Sequence, residues 1–186
     1  MQVEKTRLDG VLLFKPRVFG DERGFFLESY NEGVLARAGI NHHFVQDNHS
    51  RSRRNVLRGL HYQIRQAQGK LVRAVSGEIF DVAVDLRRDS QAFGKWMGEI
   101  LSAANKHMLW IPPGFAHGFL TVSEWADVLY KTTDYYAPAF ERTLLWDDPE
   151  IGIDWPLCGE PLLSSKDKQG EALRRAEVYA EGSATV

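Results

Sequence analysis

Short apolar segments, broken repeatedly by glycine and proline, fill the middle of the sequence and constrain its fold more than any other feature. The segment LVRAVSGEIFDVAVDLR, Leu71 to Arg87, predicts two strands separated by the Ser76-Gly77 pair. The segment MLWIPPGFAHGFLTV, Met108 to Val122, predicts two more around its PPG sequence, and DVLYKTTDYY predicts another. Many short strands with this punctuation are typical of a β-sandwich or a β-barrel.

Helical signals are few and lie towards the two ends of the chain. Asn31 is a suitable N-cap for a short helix in NEGVLARAG, because its side chain can accept a hydrogen bond from the first turn. Ser165 marks the start of a second predicted helix, of about three turns, in SSKDKQGEALRRAEVYAEG, and the final GSATV is expected to fray. The sequence therefore predicts a mainly β protein with a few short helices, including one near the C-terminus.

The composition limits which partners this protein can bind and in which cellular compartment we expect it. With 186 residues, of which 44% are hydrophobic, the chain suits one globular domain spanning residues 1–186. Its net charge of -2 gives no general attraction for nucleic acid, and the single cysteine, Cys158, excludes a disulfide within the chain. The first residues, MQVEKTRLDG, lack the apolar run of a secretory signal, and no window approaches the roughly 20 apolar residues of a membrane span. We therefore expect a soluble, cytoplasmic protein that binds neither nucleic acid nor membranes.

One predicted strand, VLRGLHYQ, carries an arginine, a glycine and a histidine in close succession. Strict alternation places Arg58 and His61 on opposite faces of the strand. They can share one pocket if Gly59 interrupts the pleat, since a glycine inside a strand often marks a bulge. Histidine is the usual general acid or base near neutral pH, so a bulge at Gly59 would place a candidate base beside a cation.

The strand that follows Gly77 has two different faces. Asp81, Ala83 and Asp85 share one face by the period of two, and the other face is apolar. A barrel whose polar face lines a pocket has this pattern, and a solvated outer face has it as well. The sequence of this strand alone leaves both interpretations open.

Seven segments that combine polar with aromatic residues follow one another along the chain and are informative as a set. They are RGFFLESYN (23–31), FVQDNHS (44–50), VLRGLHYQ (56–63), GKLVRAVSGEIFDVAVDLRRDSQAFGKW (69–96), IPPGFAHGFL (111–120), VLYKTTDYY (128–136) and LSSKD (163–167). Together, from about Val11 to Lys168, they resemble the dTDP-4-dehydrorhamnose 3,5-epimerase family of the cupin superfamily. The resemblance implies a cupin-type double-stranded β-helix, which is a jelly-roll barrel. It also implies a homodimer that exchanges the N-terminal strand region, about residues 1–30, with residues 168–186 left as a C-terminal helix or tail.

A metal site is the first alternative to weigh, because many cupins hold a metal with a His-x-His pair. Here the residue two after His61 is Gln63, and His61 with His117 supplies only two of the three or four ligands that a stable site needs. His42 and His43 are adjacent and would point to opposite faces of a strand, so they are typical of a loop or surface. The sequence therefore predicts no metal and no cofactor, as the resemblance also implies.

The resemblance implies a specific reaction and a role for four residues. Members of the family act on dTDP-4-dehydro-6-deoxy-D-glucose and invert C3 and C5, on either side of the C4 ketone, in dTDP-L-rhamnose biosynthesis. By this resemblance His61 is the base, and Asp167 holds its imidazole. Lys70 stabilises the enolate oxygen, and Tyr130 returns a proton from the other face.

The resemblance also implies which residues contact the substrate. Those assigned to nucleotide, phosphate or sugar contacts are Arg23, Glu28, Gln46, Asn48, Arg58, Lys70, His117, Glu141 and Lys166. Tyr136 and one of the pair Phe25 and Phe26 are candidate stacking or wall residues. Because the N-terminal strand region is exchanged in the family, Arg23 and Glu28 are expected to complete the partner's site.

Taken without the resemblance, three of these residues have simpler interpretations. Asp167 could cap the last helix, Lys70 could be a turn lysine, and Tyr130 could be a core tyrosine. Three other functions also remain open. They are epimerisation at C3 alone or at one other centre, 3,4-ketoisomerisation of a related dTDP-sugar, and binding of a sugar nucleotide by a non-catalytic cupin module.

Overall fold

Two antiparallel sheets pack face to face in the computed structural model, which describes residues 1–180. The strands are β1 (Gln2–Lys5), β2 (Leu12–Lys15), β3 (Val18–Asp21), β4 (Gly24–Leu27), β5 (Gln46–Arg53), β6 (Leu57–Gln63), β7 (Lys70–Ser76), β8 (Glu78–Asp85), β9 (Trp96–Ser102), β10 (Met108–Ile111), β11 (Phe115–Thr121), β12 (Trp125–Thr132) and β13 (Glu141–Thr143). One α-helix, α1 (Glu32–Arg37), and two 3-10 turns, Pro138–Phe140 and Asp167–Gln169, accompany them. The mainly β, cupin-like class predicted from the sequence is confirmed.

The order of strands in the sheets shows long-range pairing. The first sheet has six strands in the order β1-β2-β10-β7-β12-β5, and the second has five in the order β13-β6-β11-β8-β9. β3 and β4 form a separate hairpin. Apart from β1–β2 and β8–β9, strands that are neighbours in a sheet are not consecutive along the chain, so the walls between the two sheets are built from many segments.

The predicted breaks between strands are confirmed. β7 and β8 are separated at Gly77, which has a φ of +66° and whose added Cβ would collide with the carbonyl of Trp125. Only glycine fits such a position without strain. At the start of α1, the Asn31 side chain accepts a hydrogen bond from the Val34 N–H at 3.1 Å, as the N-cap interpretation predicted.

Apolar side chains form three groups around the two sheets. One group lies between the sheets and includes Val72, Ala83 and Leu109. A second lies on the outer face of the five-stranded sheet and is covered by the C-terminal segment, and a third is covered by α1. The space between the sheets therefore holds both an apolar core and a cavity lined by polar side chains.

The predicted three-turn helix after Ser165 is wrong, because only the single 3-10 turn Asp167–Gln169 forms there. The chain then follows the five-stranded sheet through one hydrogen-bonded turn between Ala172 and Ala176, and Leu173 and Tyr179 are buried there. A helix would not bring these two side chains to their separate sites, so burial outweighs the local helical preference. Gly170 passes so close to the backbone of Leu144 that an added Cβ would clash. The GSATV predicted to fray lies outside the described residues.

Within residues 1–180, no helix is long and apolar enough to cross a membrane.

Candidate active site

A cavity of about 450 Å³ opens between the two sheets. Its walls combine β5, β7 and β12 of one sheet with β6, β11 and β13 of the other. The lining residues are Gln46, Asn48, Ser50, Arg58, His61, Tyr62, Gln63, Gln68, Lys70, His117, Phe119, Tyr130, Tyr136, Glu141, Ser164, Lys166 and Asp167. All the predicted site residues except Arg23 and Glu28 are therefore brought together.

An irregularity in β6 puts Arg58 and His61 into the same cavity. His117 of β11 pairs with His61, whereas Phe119, two residues later, pairs with Arg58, so β6 contains one residue more than its partner. The extra residue follows from Gly59, whose φ is +132° and whose added Cβ would collide with the backbone of β11. The bulge predicted from the sequence is thus confirmed, and with it the shared pocket.

His61 and Asp167 form a tight pair at the floor of the cavity. The His61 Nε2 lies 2.6 Å from Asp167 Oδ1, and the Asp167 side chain is only 4% exposed. Burial raises the pKa of this carboxyl. Hydrogen bonds from His61, Ser164 and the Gly59 N–H outweigh that effect and lower the pKa to about 2. Because a carboxylate can only accept, His61 Nε2 carries the proton and Nδ1 is left with its lone pair.

The surroundings keep the imidazole of His61 neutral. Burial is the main cause that lowers the pKa of His61, and the positive charges of Lys166 and Lys70 lower it as well. The hydrogen bond that His61 donates to Asp167 raises the pKa of His61 and only partly offsets these effects. At neutral pH the ring is therefore able to accept a proton, and Asp167 stabilises the cation that would result.

Asp167 does not cap a last helix, since none forms there, but it orders the turn from Ser164 to Asp167. Its backbone N–H donates to Ser164 Oγ at 3.2 Å, and Ser164 Oγ donates to its Oδ2 at 2.6 Å. The same carboxylate thus orders the local turn with one oxygen and holds His61 with the other. Sequence reasoning did not select Ser164, although its spacing of three residues from Asp167 is the pattern of a reciprocal cap.

Lys70 is a buried cation close to the pair. Its Nζ donates to the carbonyl of His61 at 3.2 Å, and the residue is 8% exposed. Burial lowers the pKa of Lys70 to about 8, against the charges of Asp81 and Glu141, which raise it. The ammonium therefore remains mostly charged at neutral pH, in a site where water screens it weakly.

A second histidine and carboxylate pair lies beside the first, because His117 of β11 pairs with His61 of β6 in the same sheet. His117 Nε2 is 2.8 Å from Asp81 Oδ1, and Asp81 is completely buried. The face of β8 that carries Asp81 thus points inward, and the solvated interpretation of that face is wrong. Within residues 1–180, Asp81 Oδ2 has no hydrogen-bond partner. Sequence reasoning identified the face of Asp81 but did not pair it with His117, because the two residues meet only through the pairing of β8 with β11.

Tyr130 faces the cavity from β12, opposite Asn48 of β5. Burial is the main cause that raises the pKa of this phenol, and the charge of Arg58 partly offsets it. The phenol is therefore protonated at neutral pH and able to donate. Two buried polar atoms nearby, Asn48 Nδ2 and Ser50 Oγ, have no partner in the described part of the chain, so they can bind a ligand.

Charged and aromatic side chains form the rim of the cavity. Glu141 accepts from Lys166 at 2.7 Å and from the Tyr136 hydroxyl at 2.9 Å. Arg58 donates from Nε to Ser52 Oγ at 2.9 Å, which leaves its guanidinium at the cavity wall. This rim can bind an anionic group by Arg58 and Lys166 and a flat ring against Tyr136.

Arg23 and Glu28 lie elsewhere, on and just after the β3–β4 hairpin. Both are exposed, Arg23 pairs with Asp21, and Glu28 accepts from Asn31 Nδ2 at 3.0 Å. The aromatic residues of the hairpin, Phe25 and Phe26, are also exposed, 61% and 70% respectively, and do not line the cavity of their own chain. Their predicted participation in a partner's site stays a prediction.

Metal ligands are not grouped in this site. The Nε2 atoms of His61 and His117 each face a carboxylate. Across residues 1–180, no three side chains of histidine, cysteine, aspartate or glutamate come together in a way that could hold a metal ion.

Comparisons with known proteins agree with the motifs. The family model described as dTDP-4-dehydrorhamnose 3,5-epimerase matches residues 5–175, a longer range than the motifs covered. The dTDP-4-dehydrorhamnose 3,5-epimerase of Pseudomonas aeruginosa is 62% identical over 180 residues, which are 96% of this chain and 99% of that protein. The crystal structure of a Legionella pneumophila dTDP-6-deoxy-D-glucose-3,5-epimerase with dTDP-4-keto-L-rhamnose has a TM-score of 0.95 and 47% identity, covering 97% and 98% of the two chains. A 3'-monoepimerase of Streptomyces bikiniensis with dTDP-quinovose has a TM-score of 0.85 and 32% identity, covering 91% and 86%.

Proposed function

Because the chain belongs to the dTDP-4-dehydrorhamnose 3,5-epimerase family, we propose that its cavity converts dTDP-4-dehydro-6-deoxy-D-glucose into dTDP-4-dehydro-β-L-rhamnose. The protein is an isomerase of dTDP-L-rhamnose biosynthesis. The observation that carries the assignment of the site is the convergence of a neutral histidine, a buried ammonium and a protonated tyrosine in one cavity.

The reaction needs three groups around the sugar ring. The hydrogens on C3 and C5 are weakly acidic only because the carbanion is delocalised onto the C4 oxygen. A base must therefore lie near the hydrogen, and a cation or donor must lie near that oxygen. An acid on the opposite face must then return a proton to the same carbon, which inverts the centre.

His61 is suited to be the base. Its Nδ1 is free to accept while Asp167 holds Nε2, and the charge on Asp167 stabilises the imidazolium that forms. Lys70 is suited to stabilise the enolate, because a buried ammonium interacts strongly with a negative oxygen that develops beside it. Tyr130, whose pKa is raised, is suited to donate the proton from the other face.

The nucleotide would bind along the rim and β5. Arg58 and Lys166 supply positive charge for the pyrophosphate. Gln46 and Asn48 supply amide donors and acceptors, and the ring of Tyr136 offers a flat surface for the thymine base. His117 and Glu141 would contact the substrate between the rim and the floor.

The test is proton NMR of dTDP-4-dehydro-6-deoxy-D-glucose incubated with the protein in deuterated water. We expect deuterium at both C3 and C5, with the product in the L-rhamno configuration. Deuterium at C3 alone would favour a C3 epimerase, and a product with a displaced carbonyl would favour a 3,4-ketoisomerase. Binding of dTDP without any exchange would contradict catalysis and favour a binding module.

The rate is expected to depend on pH through His61 and Lys70. As the pH falls through the lowered pKa of His61, the imidazole becomes protonated and cannot accept the substrate proton. As the pH rises through about 8, Lys70 loses its charge and the enolate loses its stabilisation. A plot of kcat/KM against pH should therefore be bell-shaped. A profile that stays level to a pH of about 10 would contradict the role of Lys70.

We also propose that the protein acts as a homodimer in which the β3–β4 hairpin completes the partner's cavity. The exposed hairpin carries two large apolar rings together with Arg23, while this chain's own cavity lies elsewhere. Surface of this kind is typical of a region that is covered by another protein.

Mixing two inactive variants, His61→Asn and Arg23→Ala, would test this exchange. If the hairpin crosses the dimer, a mixed dimer contains one cavity with both defects and one with neither. After unfolding and refolding together, the mixture should recover about a quarter of wild-type activity, because random pairing makes half of the dimers mixed. No recovery, with mixed dimers detected by mass spectrometry, would place Arg23 in its own chain's site or outside the site.

A further inference from the structure

Gln63 is a buried polar side chain that the proposed chemistry does not use. It is the last residue of β6, two positions after His61, and it is only 3% exposed. Its Nε2 donates to the carbonyls of Gln66, at 2.7 Å, and Tyr135, at 3.2 Å. Its Oε1 accepts from the N–H of Ala137 at 2.8 Å. Both hydrogens of the amide are therefore used by backbone, which leaves no donor for a ligand.

Two of these three bonds enclose one residue of the cavity rim. Tyr135 and Ala137 are the neighbours of Tyr136, so Gln63 holds the backbone on both sides of that tyrosine. Between them, the Tyr136 N–H donates to Gln46 Oε1 at 3.0 Å. Three consecutive residues are thus fixed by side chains that reach them from β5 and β6.

This support is needed because little else orients the ring of Tyr136. The residue is 53% exposed and lies between β12 and the 3-10 turn Pro138–Phe140, outside any strand. Its hydroxyl donates to Glu141 at 2.9 Å, so the tip of the ring is held at the cavity rim. With the backbone fixed by Gln63 and the tip fixed by Glu141, the ring has one orientation towards the cavity.

We propose that Gln63 is a positioning residue that orders Tyr136 for stacking against the base of a nucleoside diphosphate. The proposal rests on the proposed function, which supplies the nucleotide. An exposed ring on a free loop would lose conformational freedom when a base stacks on it, and a ring that is already ordered loses less. Gln63 therefore increases nucleotide affinity without donating a hydrogen bond to the nucleotide.

A double-mutant cycle measured by titration calorimetry with dTDP tests this role. We expect Gln63→Met and Tyr136→Ala each to weaken dTDP binding about tenfold or more, since stacking on one aromatic ring has about that effect. If Gln63 acts through Tyr136, the double variant should bind no more weakly than Tyr136→Ala alone. Losses that multiply in the double variant would overturn the proposal. With substrate, the effect of Gln63→Met should appear in KM rather than in kcat.

Two further variants separate positioning from loss of stability. Gln63→Glu keeps the shape and the acceptor for Ala137 but cannot donate, so it should weaken dTDP binding as Gln63→Met does. Asn105 also bonds three backbone groups, at the turn between β9 and β10, so Asn105→Ala removes a similar support away from the cavity.

We expect Asn105→Ala to lower the unfolding temperature while leaving dTDP binding unchanged. Wild-type affinity in Gln63→Glu, or a loss of affinity in Asn105→Ala, would overturn the proposal. If the wild-type protein itself does not bind dTDP, the proposed function fails instead.

Discussion

His61→Asn is expected to reduce kcat about 10⁴-fold, because it removes the base that takes the proton from C3 and C5. Asparagine has no nitrogen with a free lone pair, and its shorter side chain gives up the bond that His61 Nε2 makes to Asp167. Asp167 keeps the donors of Gly59 N–H and Ser164 Oγ. The fold and the affinity for dTDP should therefore be retained. Deuterium incorporation at both carbons, followed by NMR, measures the loss.

His43→Asn is the matched control for this substitution. His43 lies in an exposed loop, where it pairs with Glu32, and it does not line the cavity. Its replacement should leave the exchange rate unchanged. If His61→Asn still exchanged substrate hydrogens at more than about a hundredth of the wild-type rate, another group would have to be the base.

Lys70→Met is expected to reduce kcat about 10³-fold and, at the same time, to make the protein more stable. The loss of activity follows from the missing charge beside the enolate oxygen. The gain in stability follows from the pKa of Lys70, which falls from 10.5 to about 8 on folding. A lowered lysine pKa means that folding disfavours the charged form. That penalty is absent above the unfolded pKa of 10.5, grows as the pH falls towards about 8, and is complete at pH 7.

The gain can be measured as the free energy of unfolding in urea at pH 7. Methionine has a similar length and no charge to desolvate, so we expect the free energy of unfolding to increase by about 1–3 kcal/mol. The difference between wild type and variant should shrink as the pH rises above about 8, where Lys70 of the folded wild type loses its charge. Lys168→Met, at an exposed lysine, should change neither stability nor kcat. A less stable Lys70→Met would show that the ammonium stabilises the fold, and full activity in it would remove Lys70 from the mechanism.

The sequence was most informative where the local pattern and the tertiary environment agree. The breaks at Gly77 and at the PPG sequence hold in the structure because a turn needs residues that tolerate unusual backbone angles. The interruption at Gly59 holds for the same reason, and it made the position of His61 beside Arg58 predictable. A positive φ or a close backbone approach constrains a single residue, and glycine is the residue that tolerates either one without strain.

The C-terminal segment shows where local pattern fails. A serine cap and a run of helix-forming residues predicted about three turns after Ser165, yet a single 3-10 turn forms. Leu173 and Tyr179 are buried at separate places beside the five-stranded sheet. The bridges of Glu171 to Leu144 and of Tyr179 to Arg87 fix the chain there, with a single hydrogen-bonded turn between Ala172 and Ala176. Propensity differs by fractions of a kcal/mol per residue, whereas burying one large side chain contributes about 1.5–3 kcal/mol.

The sequence by itself determined the central strands (β6 to β8 and β10 to β12), the turns between them and the identity of the reactive side chains, because each depends on neighbours within a few residues. Only the tertiary structure decided which of them meet. Asp167 reaches His61 across 106 positions, and Asp81 reaches His117 across 36, through strand pairings that no local pattern encodes. Burial in the cavity then sets the protonation of the reactive groups, because it keeps His61 neutral and lowers the pKa of Lys70 to about 8. Desolvation depends on everything packed around a group and not on the group's position in the chain.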